Sequence, residues 1–218
     1  MHLRVGLVLV ACLLACSQNK HNQSKKVIST SLSEALQTPE KVTILNLTFS
    51  PFKENPEING LPEAIGTLIN LEELIIEARF ASYPPITSEP QITSSGKIET
   101  LPESIGNLRK LRVLTLQAVG LKALPESFTA LKNLQELDIS FNEFEFAPLE
   151  AQLAKLPNLK RIRIYTLDYP KQQASIEAFQ AKYPTIQVEY NTQTFYRQIV
   201  REAEEFNDSF SSKNRKMD

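Results

Sequence analysis

The 218-residue sequence has two cysteines, two histidines, six glycines and no tryptophan. Both cysteines (Cys12, Cys16) and both histidines (His2, His21) fall within the first 21 residues, ahead of any pattern that suggests a folded domain. This excludes a Cys or Ser/His nucleophilic triad, a Cys/His zinc site and a structural disulfide from that domain. The glycines form neither GxGxxG nor a P-loop, so the usual phosphate cradles are missing too. An excess of one charge is also lacking. The 24 basic residues face 25 acidic ones, a formal net charge of −1, which offers no basic surplus to nucleic acid. With 42% hydrophobic and 22% charged residues the chain suits one soluble domain. The expectation is a non-enzymatic protein with no cofactor and no metal. The carboxylate pairs Glu73/Glu77 and Glu136/Asp138 share a face, but strand alternation alone produces that.

Only one long apolar run occurs, at the N-terminus. Met1-His-Leu-Arg supplies a short positive start, Val5 to Leu14 follow, and the run gives way to the polar SQNKHNQSKK stretch. That is an export-signal pattern, and it falls short of the about 20 apolar residues needed to span a bilayer. Its end, Leu13-Leu14-Ala15-Cys16, resembles the lipobox of bacterial lipoproteins. The resemblance implies cleavage after residue 15 and lipidation of Cys16, hence a bilayer as one partner. Residues 16–30 read as the lipidated cysteine and a flexible tether. The segment beside Cys16 holds no acidic run resembling a surface-export signal. The expected location is therefore the bacterial cell envelope, with the periplasmic face favoured over the cell surface.

What the rest of the sequence does have is a repeat. Leu61-Ile65-Leu68-Leu71, Leu101-Ile105-Leu108-Leu111, Leu124-Phe128-Leu131-Leu134 and Leu149-Leu153-Leu156-Leu159 share steps of four, three and three. Each continues as LxxLxL, through Leu74-Ile76, Leu114-Leu116, Leu137-Ile139 and Ile162-Ile164. An earlier copy runs Leu32-Leu36-Pro39-Val42, then Leu45-Leu47. A last one, Tyr183-Ile186-Val188, keeps only the strand. The alternating end of each unit requires a half-buried strand, and the preceding steps place apolar side chains on one face of a helical turn. No unit buries its apolar face alone, so neighbours must stack. The phrases LPEAIGTLINLEEL, LPESIGNLRKLRVL and LPESFTALKNLQEL resemble the leucine-rich repeat family in its form of about 23 residues. The resemblance implies an α/β solenoid with a parallel sheet on the concave face and short helical or 3₁₀ returns on the convex side. The domain is expected to span residues 31–190, with an N-terminal capping helix begun by the capping-box spacing Ser31-Leu-Ser-Glu34. Of the asparagines expected after each LxxLxL, only Asn142 is kept; Ser50, Arg79, Val119 and Leu167 stand at the other positions. In residues 191–218, Tyr196, Ile199, Val200, Ala203, Phe206 and Phe210 recur at helical steps. They predict an amphipathic C-terminal helix that caps the solenoid's other end, ahead of a polar tail.

Side chains between the apolar strand positions face the concave surface. One expected column is Ile44, Glu73, Val113, Glu136, Arg161 and Thr185, and the next is Asn46, Ile75, Thr115, Asp138, Arg163 and Gln187. Two further columns include Ser140, Tyr165 and Glu189, then Phe141 and Tyr190. Ile75 and Val113 are apolar where water is expected, Phe141 and Tyr165 offer aromatic surface, and Arg161 and Arg163 form a cationic end. Aromatics and arginines often carry interface energy, although Glu136–Arg161 and Asp138–Arg163 pairs across adjacent strands would absorb the charges. The strand centres at 45, 74, 114, 137, 162 and 186 are 29, 40, 23, 25 and 24 residues apart. The first two units therefore carry insertions, at 50–60 and 79–99, both leaving from one rim, and Phe80 and Tyr83 make the longer one amphipathic. The expected function is protein–protein interaction through the concave face and this rim. Binding of an envelope glycan and a structural envelope role are the alternatives.

Overall fold

The computed structural model describes residues 26–49, 60–78, 98–142, 144–165 and 169–190. Cys16, Phe80, Tyr83 and the segment 191–218 lie outside the described residues. Alternation of LxxLxL builds strands β1 (Ile28–Ser29), β2 (Ile44–Phe49), β3 (Glu73–Ala78), β4 (Val113–Gln117), β5 (Glu136–Asp138), β6 (Arg161–Arg163) and β7 (Gln187–Glu189). They form one sheet in sequence order, every neighbouring pair parallel. Leu45, Leu74, Leu114, Leu137 and Ile162 are in register through the core, each no more than 1% exposed. This is a leucine-rich repeat solenoid.

The returns are of two kinds. Glu63–Thr67, Glu103–Asn107 and Glu126–Ala130 are 3₁₀ turns, each following an LP pair whose proline fixes an extended approach. The later returns are α-helices, α2 (Phe146–Leu153) and α3 (Tyr169–Lys182), while a first helix α1 (Leu32–Gln37) covers the N-terminal end. Ser31 caps α1, its Oγ accepting the Glu34 N–H at 3.3 Å.

Three features correct the sequence reading. Folded structure begins before residue 31. Ile28–Ser29, assigned to the tether, pair with β2, and the Val27 N–H donates to Thr43 Oγ1 at 2.8 Å. The last unit has a full fourteen-residue helical return rather than a strand alone. Its Ile176 and Phe179 are completely buried. That longer return shifts β7 by two residues, so Ile162 pairs with Val188 instead of Ile186. A shift of two keeps every side chain on its face, which is why the alternation did not betray it. Arg161 therefore neighbours Gln187, and Arg163 neighbours Glu189.

Contacts between coils are polar as well as apolar. Asn142 bonds both ways across a turn. Its Oδ1 accepts from the Val119 and Leu121 N–H groups at 3.0 Å each, and its Nδ2 donates to Leu116 O at 2.6 Å and Ile139 O at 2.9 Å. On the side where the chain enters the strands, Asn70, Asn133 and Asn158 donate to the Glu40, Arg109 and Lys132 carbonyls at 2.7–2.8 Å. On the convex side Glu63 accepts the Ser104 N–H and Glu103 the Ser127 N–H, both at 3.1 Å. Hydrogen bonding to Ser127 holds the Glu103 carboxyl below the usual glutamate range. The recurrence of LPES thus has a physical cause beyond its leucine.

Candidate binding face

Parallel register sets the concave columns. One runs Ile28, Ile44, Glu73, Val113, Glu136, Arg161 and Gln187, and the next Asn46, Ile75, Thr115, Asp138, Arg163 and Glu189. For β2 to β6 these are the neighbours expected from the repeat. Ile75 and Val113 are half-buried on adjacent strands, and Ile28 is 63% exposed. Ile44 beside it is buried, so β1 to β4 present a patch that mixes these apolar side chains with the half-buried polar ones of Glu77, Thr115 and Gln117. Its described polar members include Asn46 and Thr48, bonded to each other at 2.6 Å, and the ion pair of Glu73 with Lys26 at 2.7 Å.

The half formed by β5 to β7 is a charge lattice. Arg161 lies 3.4 Å from Glu136 and 3.5 Å from Glu189; Arg163 lies 3.0 Å from Glu189 and 3.8 Å from Asp138. Two guanidiniums therefore meet three carboxylates. The expected cationic end is neutralised in place, and Glu189, which the slipped register had put one column away, is its hub. Arg161 Nε is buried and makes no hydrogen bond despite the nearby carboxylate, so this contact is ionic rather than directional. Burial holds the Asp138 carboxyl above the usual aspartate range. Its bonds to Ser140 and the Arg163 charge oppose that rise without cancelling it. Burial also weighs against the Arg163 charge, but Glu189 and Asp138 outweigh it and hold the guanidinium above its ordinary value. Burial, then the Glu189 carboxylate, raise the Tyr165 hydroxyl.

Phe141 does not offer the aromatic surface expected of it. It is 6% exposed, packed with Ala118 and against Tyr165, the two rings stacked at 6.1 Å between centroids. Its backbone explains this. Phe141 and Ala118 occupy equivalent positions after their strands and both have left-handed φ, 58° and 56°, which turns the chain out of the strand. The Phe141 N–H still donates to Tyr165 O at 2.7 Å, and the Ala118 N–H to Ser140 O at 3.0 Å. Ser140, expected on the concave face, is fully buried, and its Oγ accepts the Tyr165 N–H at 3.2 Å. Of the candidate residues, the structure brings Arg161, Arg163 and Tyr165 together around Glu189 and sets Ile75 and Val113 apart from them on β3 and β4.

No family model matches the chain. A probable disease resistance protein of Arabidopsis thaliana is 29% identical to it over 91 residues, 42% of this chain and 11% of that protein. A leucine-rich repeat protein of Leptospira interrogans aligns at 27% identity over 64% of this chain and 36% of its own length, with a TM-score of 0.36. Internalin C2 of Listeria monocytogenes aligns at 18% identity over 74% of this chain and 59% of its own, with a TM-score of 0.40. The chain spans less than two thirds of each of these proteins.

Proposed function

We propose that the chain is a non-enzymatic recognition module that binds another protein across its concave face and is held to a bacterial envelope membrane through lipid on Cys16. The observation that carries the binding reading is the placement of two apolar side chains, Ile75 and Val113, on adjacent strands of the concave face. Both are partly exposed on inner strands whose backbone groups are committed to a continuous parallel sheet, and Ile28 on the edge strand β1 is 63% exposed. Rigid apolar surface of this kind suits a partner that buries it. The lattice of β5 to β7, its charges paired internally, contributes orientation more than affinity. The lipidation reading is supported by the LLAC segment alone, and Cys16→Ser is expected to move the protein from the membrane to the soluble fraction.

To test the binding surface, a photo-crosslinking phenylalanine analogue replaces Ile75 or Val113 in the full chain in its own envelope, with Thr67 on the convex side as the control. The expected result is a discrete protein adduct from positions 75 and 113 and none from 67. Equal labelling from all three, or none, refutes the concave assignment. An adduct without added protein mass that soluble sugar competes away supports the glycan alternative.

A further inference from the structure

Among the described residues, positive charge gathers on one rim of this solenoid. Because every strand is parallel, the segments that lead into them, 38–43, 68–72, 108–112, 131–135 and 154–160, share one rim with the start of β1. Arg109, Lys110 and Arg112 lead into β4; Lys41, Lys132, Lys155 and Lys160 lead into β2, β5 and β6, all seven exposed. The only acids in these segments are Glu40 and Glu72, so seven positive charges against two leave +5 there, on a chain whose formal net charge is −1.

Among the described residues none of the seven has a carboxylate within 4.0 Å. The ammonium groups of Lys110 and Lys132 instead donate to neutral oxygens, Asn70 Oδ1 at 2.8 Å and Lys155 O at 2.9 Å. Two described cations of the opposite rim are paired instead. There Lys122 pairs with Glu99 at 2.9 Å and Lys171 with Glu145 at 3.0 Å. The cationic rim also carries exposed apolar side chains, Ile69 at 55% and Val27 at 38%, two of the three exposed large hydrophobics among the described residues.

Clustered cations in excess over nearby carboxylates, interspersed with exposed aliphatic groups, suit an interface with anionic headgroups. We infer that this rim docks on an anionic phospholipid surface and sets the solenoid's orientation on its membrane. The inference rests on the proposed Cys16 anchor for its biological setting. The described chain begins at Lys26, on this same rim, and residues 17–26 span at most on the order of 35 Å. A tether that short, attached at the cationic rim, keeps the rim at high effective concentration near the headgroups. In this orientation the ends of β2 and β3, from which both insertions depart, face away from the bilayer, and the concave face opens sideways to a partner.

Residues 17–218 contain every described contact but neither the signal nor Cys16, so vesicle binding by this protein is free of any lipid anchor, and the paired charge variants assign it to the rim or away from it. It is sedimented with vesicles of phosphatidylglycerol and phosphatidylethanolamine, and with phosphatidylcholine vesicles. Binding is expected to the anionic vesicles only, and to be lost in about 0.5 M salt, where charge interactions are screened beyond a few ångströms. Lys110→Glu/Lys132→Glu is expected to weaken it on the order of tenfold or more. Lys122→Glu/Lys171→Glu, which changes the net charge equally on the opposite rim, is expected to leave it unchanged. Circular dichroism confirms that both variants are folded. No binding to anionic vesicles overturns the inference, as does equal weakening by the two variants. Retention on polyglutamate beads but not on vesicles overturns it in favour of an acidic polypeptide. The Cys16→Ser fractionation is read at about 0.5 M salt, where rim binding is screened and only a lipid anchor would hold the protein on the membrane, so anchor and rim fail separately.

Discussion

Between Leu61 and Leu134 the coils return through five-residue 3₁₀ turns, whereas from Phe146 onward they return through α-helices of eight and fourteen residues. The thin returns lie so close that a Cβ on Gly66 would come within 2.7 Å of Ser104 O, and one on Gly106 within 2.7 Å of Ser127 O. The third 3₁₀ turn has Thr129 at the same place, because its neighbour is α2. The thick returns are spaced by aromatics instead. Phe146 and Phe179 meet edge to face at 5.3 Å, and Phe179 packs on Tyr183 at 4.7 Å. The thickness of the next return decides which residue a repeat position accepts, so one consensus supports two packing regimes.

The largest effect should come from breaking the helical regime. Phe179→Ala removes a fully buried ring between α2, α3 and Tyr183, and is expected to cost about 3 to 5 kcal/mol in denaturant unfolding. A loss below 1 kcal/mol would mean that the aromatic stack does not hold the helical coils together. Asn142→Ala acts where the regimes meet. It deprives the Val119 and Leu121 N–H groups and the Leu116 carbonyl of their partner, and should cost about 2 to 3 kcal/mol. Asn142→Asp keeps the acceptor but not the donor, so it should recover only part of this. A smaller and more diagnostic pair is Gly106→Ala with Thr129→Gly. The first forces the second and third 3₁₀ turns apart and should cost about 1 to 3 kcal/mol; the second loses only a side chain whose Oγ1 donates to Glu126 O at 3.0 Å, and should cost under about 1 kcal/mol. Equal losses would dissolve the distinction between thin and thick returns.

How much of this was legible follows from the same contrast. The steps of four, three and three mark the buried positions Ile65, Leu68, Ile105, Leu108, Phe128 and Leu131 without reference to coil thickness, since each regime buries the same face. They also place the strands from β2 to β6 in register. What they could not fix was the length of the last return, because Tyr183-Ile186-Val188 fits two registers that share a face. The side chains that tie the coils together were visible as recurrences, Asn70/Asn133/Asn158 and the Glu63 and Glu103 of each LPE, but without the turn geometry an exposed recurrent residue reads as solvated. Phe141 misled for a local reason. Alternation extrapolated past Ile139 assumes an extended backbone, and the left-handed φ at residue 141 ends it and turns the ring into the molecule. The charge lattice was half legible. The Glu136–Arg161 and Asp138–Arg163 pairs follow from register, but Glu189 enters only with the shift in β7.

The smallest expected effect separates the lattice from the β1–β4 half of the same face, and it depends on pH. Asp138 is buried enough that its carboxyl lies above the ordinary aspartate value of 3.8, even with Arg163 at 3.8 Å and the Ser140 N–H at 3.0 Å. Between that ordinary value and the raised native one, the folded protein holds the proton more tightly than the unfolded chain. Stability from this group is therefore full below the unfolded value and declines as pH rises through the native one. Other groups face the same carboxyl, with Arg163 stabilising its charge and Glu189 opposing it, so the decline belongs to Asp138 in the presence of both. Asp138→Asn retains an oxygen for the Ser140 N–H and removes the charge, leaving Glu189 to pair with Arg163. The variant should lose this component of the pH dependence. Its stability relative to wild type should rise as pH climbs through the window and then level off at neutral pH, as read from urea unfolding at a series of pH values. A variant that instead weakens steadily relative to wild type over that range would mean the Arg163 attraction outweighs burial. The β5–β7 lattice would then be a net source of stability rather than an orienting feature. Ile75→Val on the β1–β4 half supplies the baseline, since it changes no titratable group and its offset from wild type should be flat with pH.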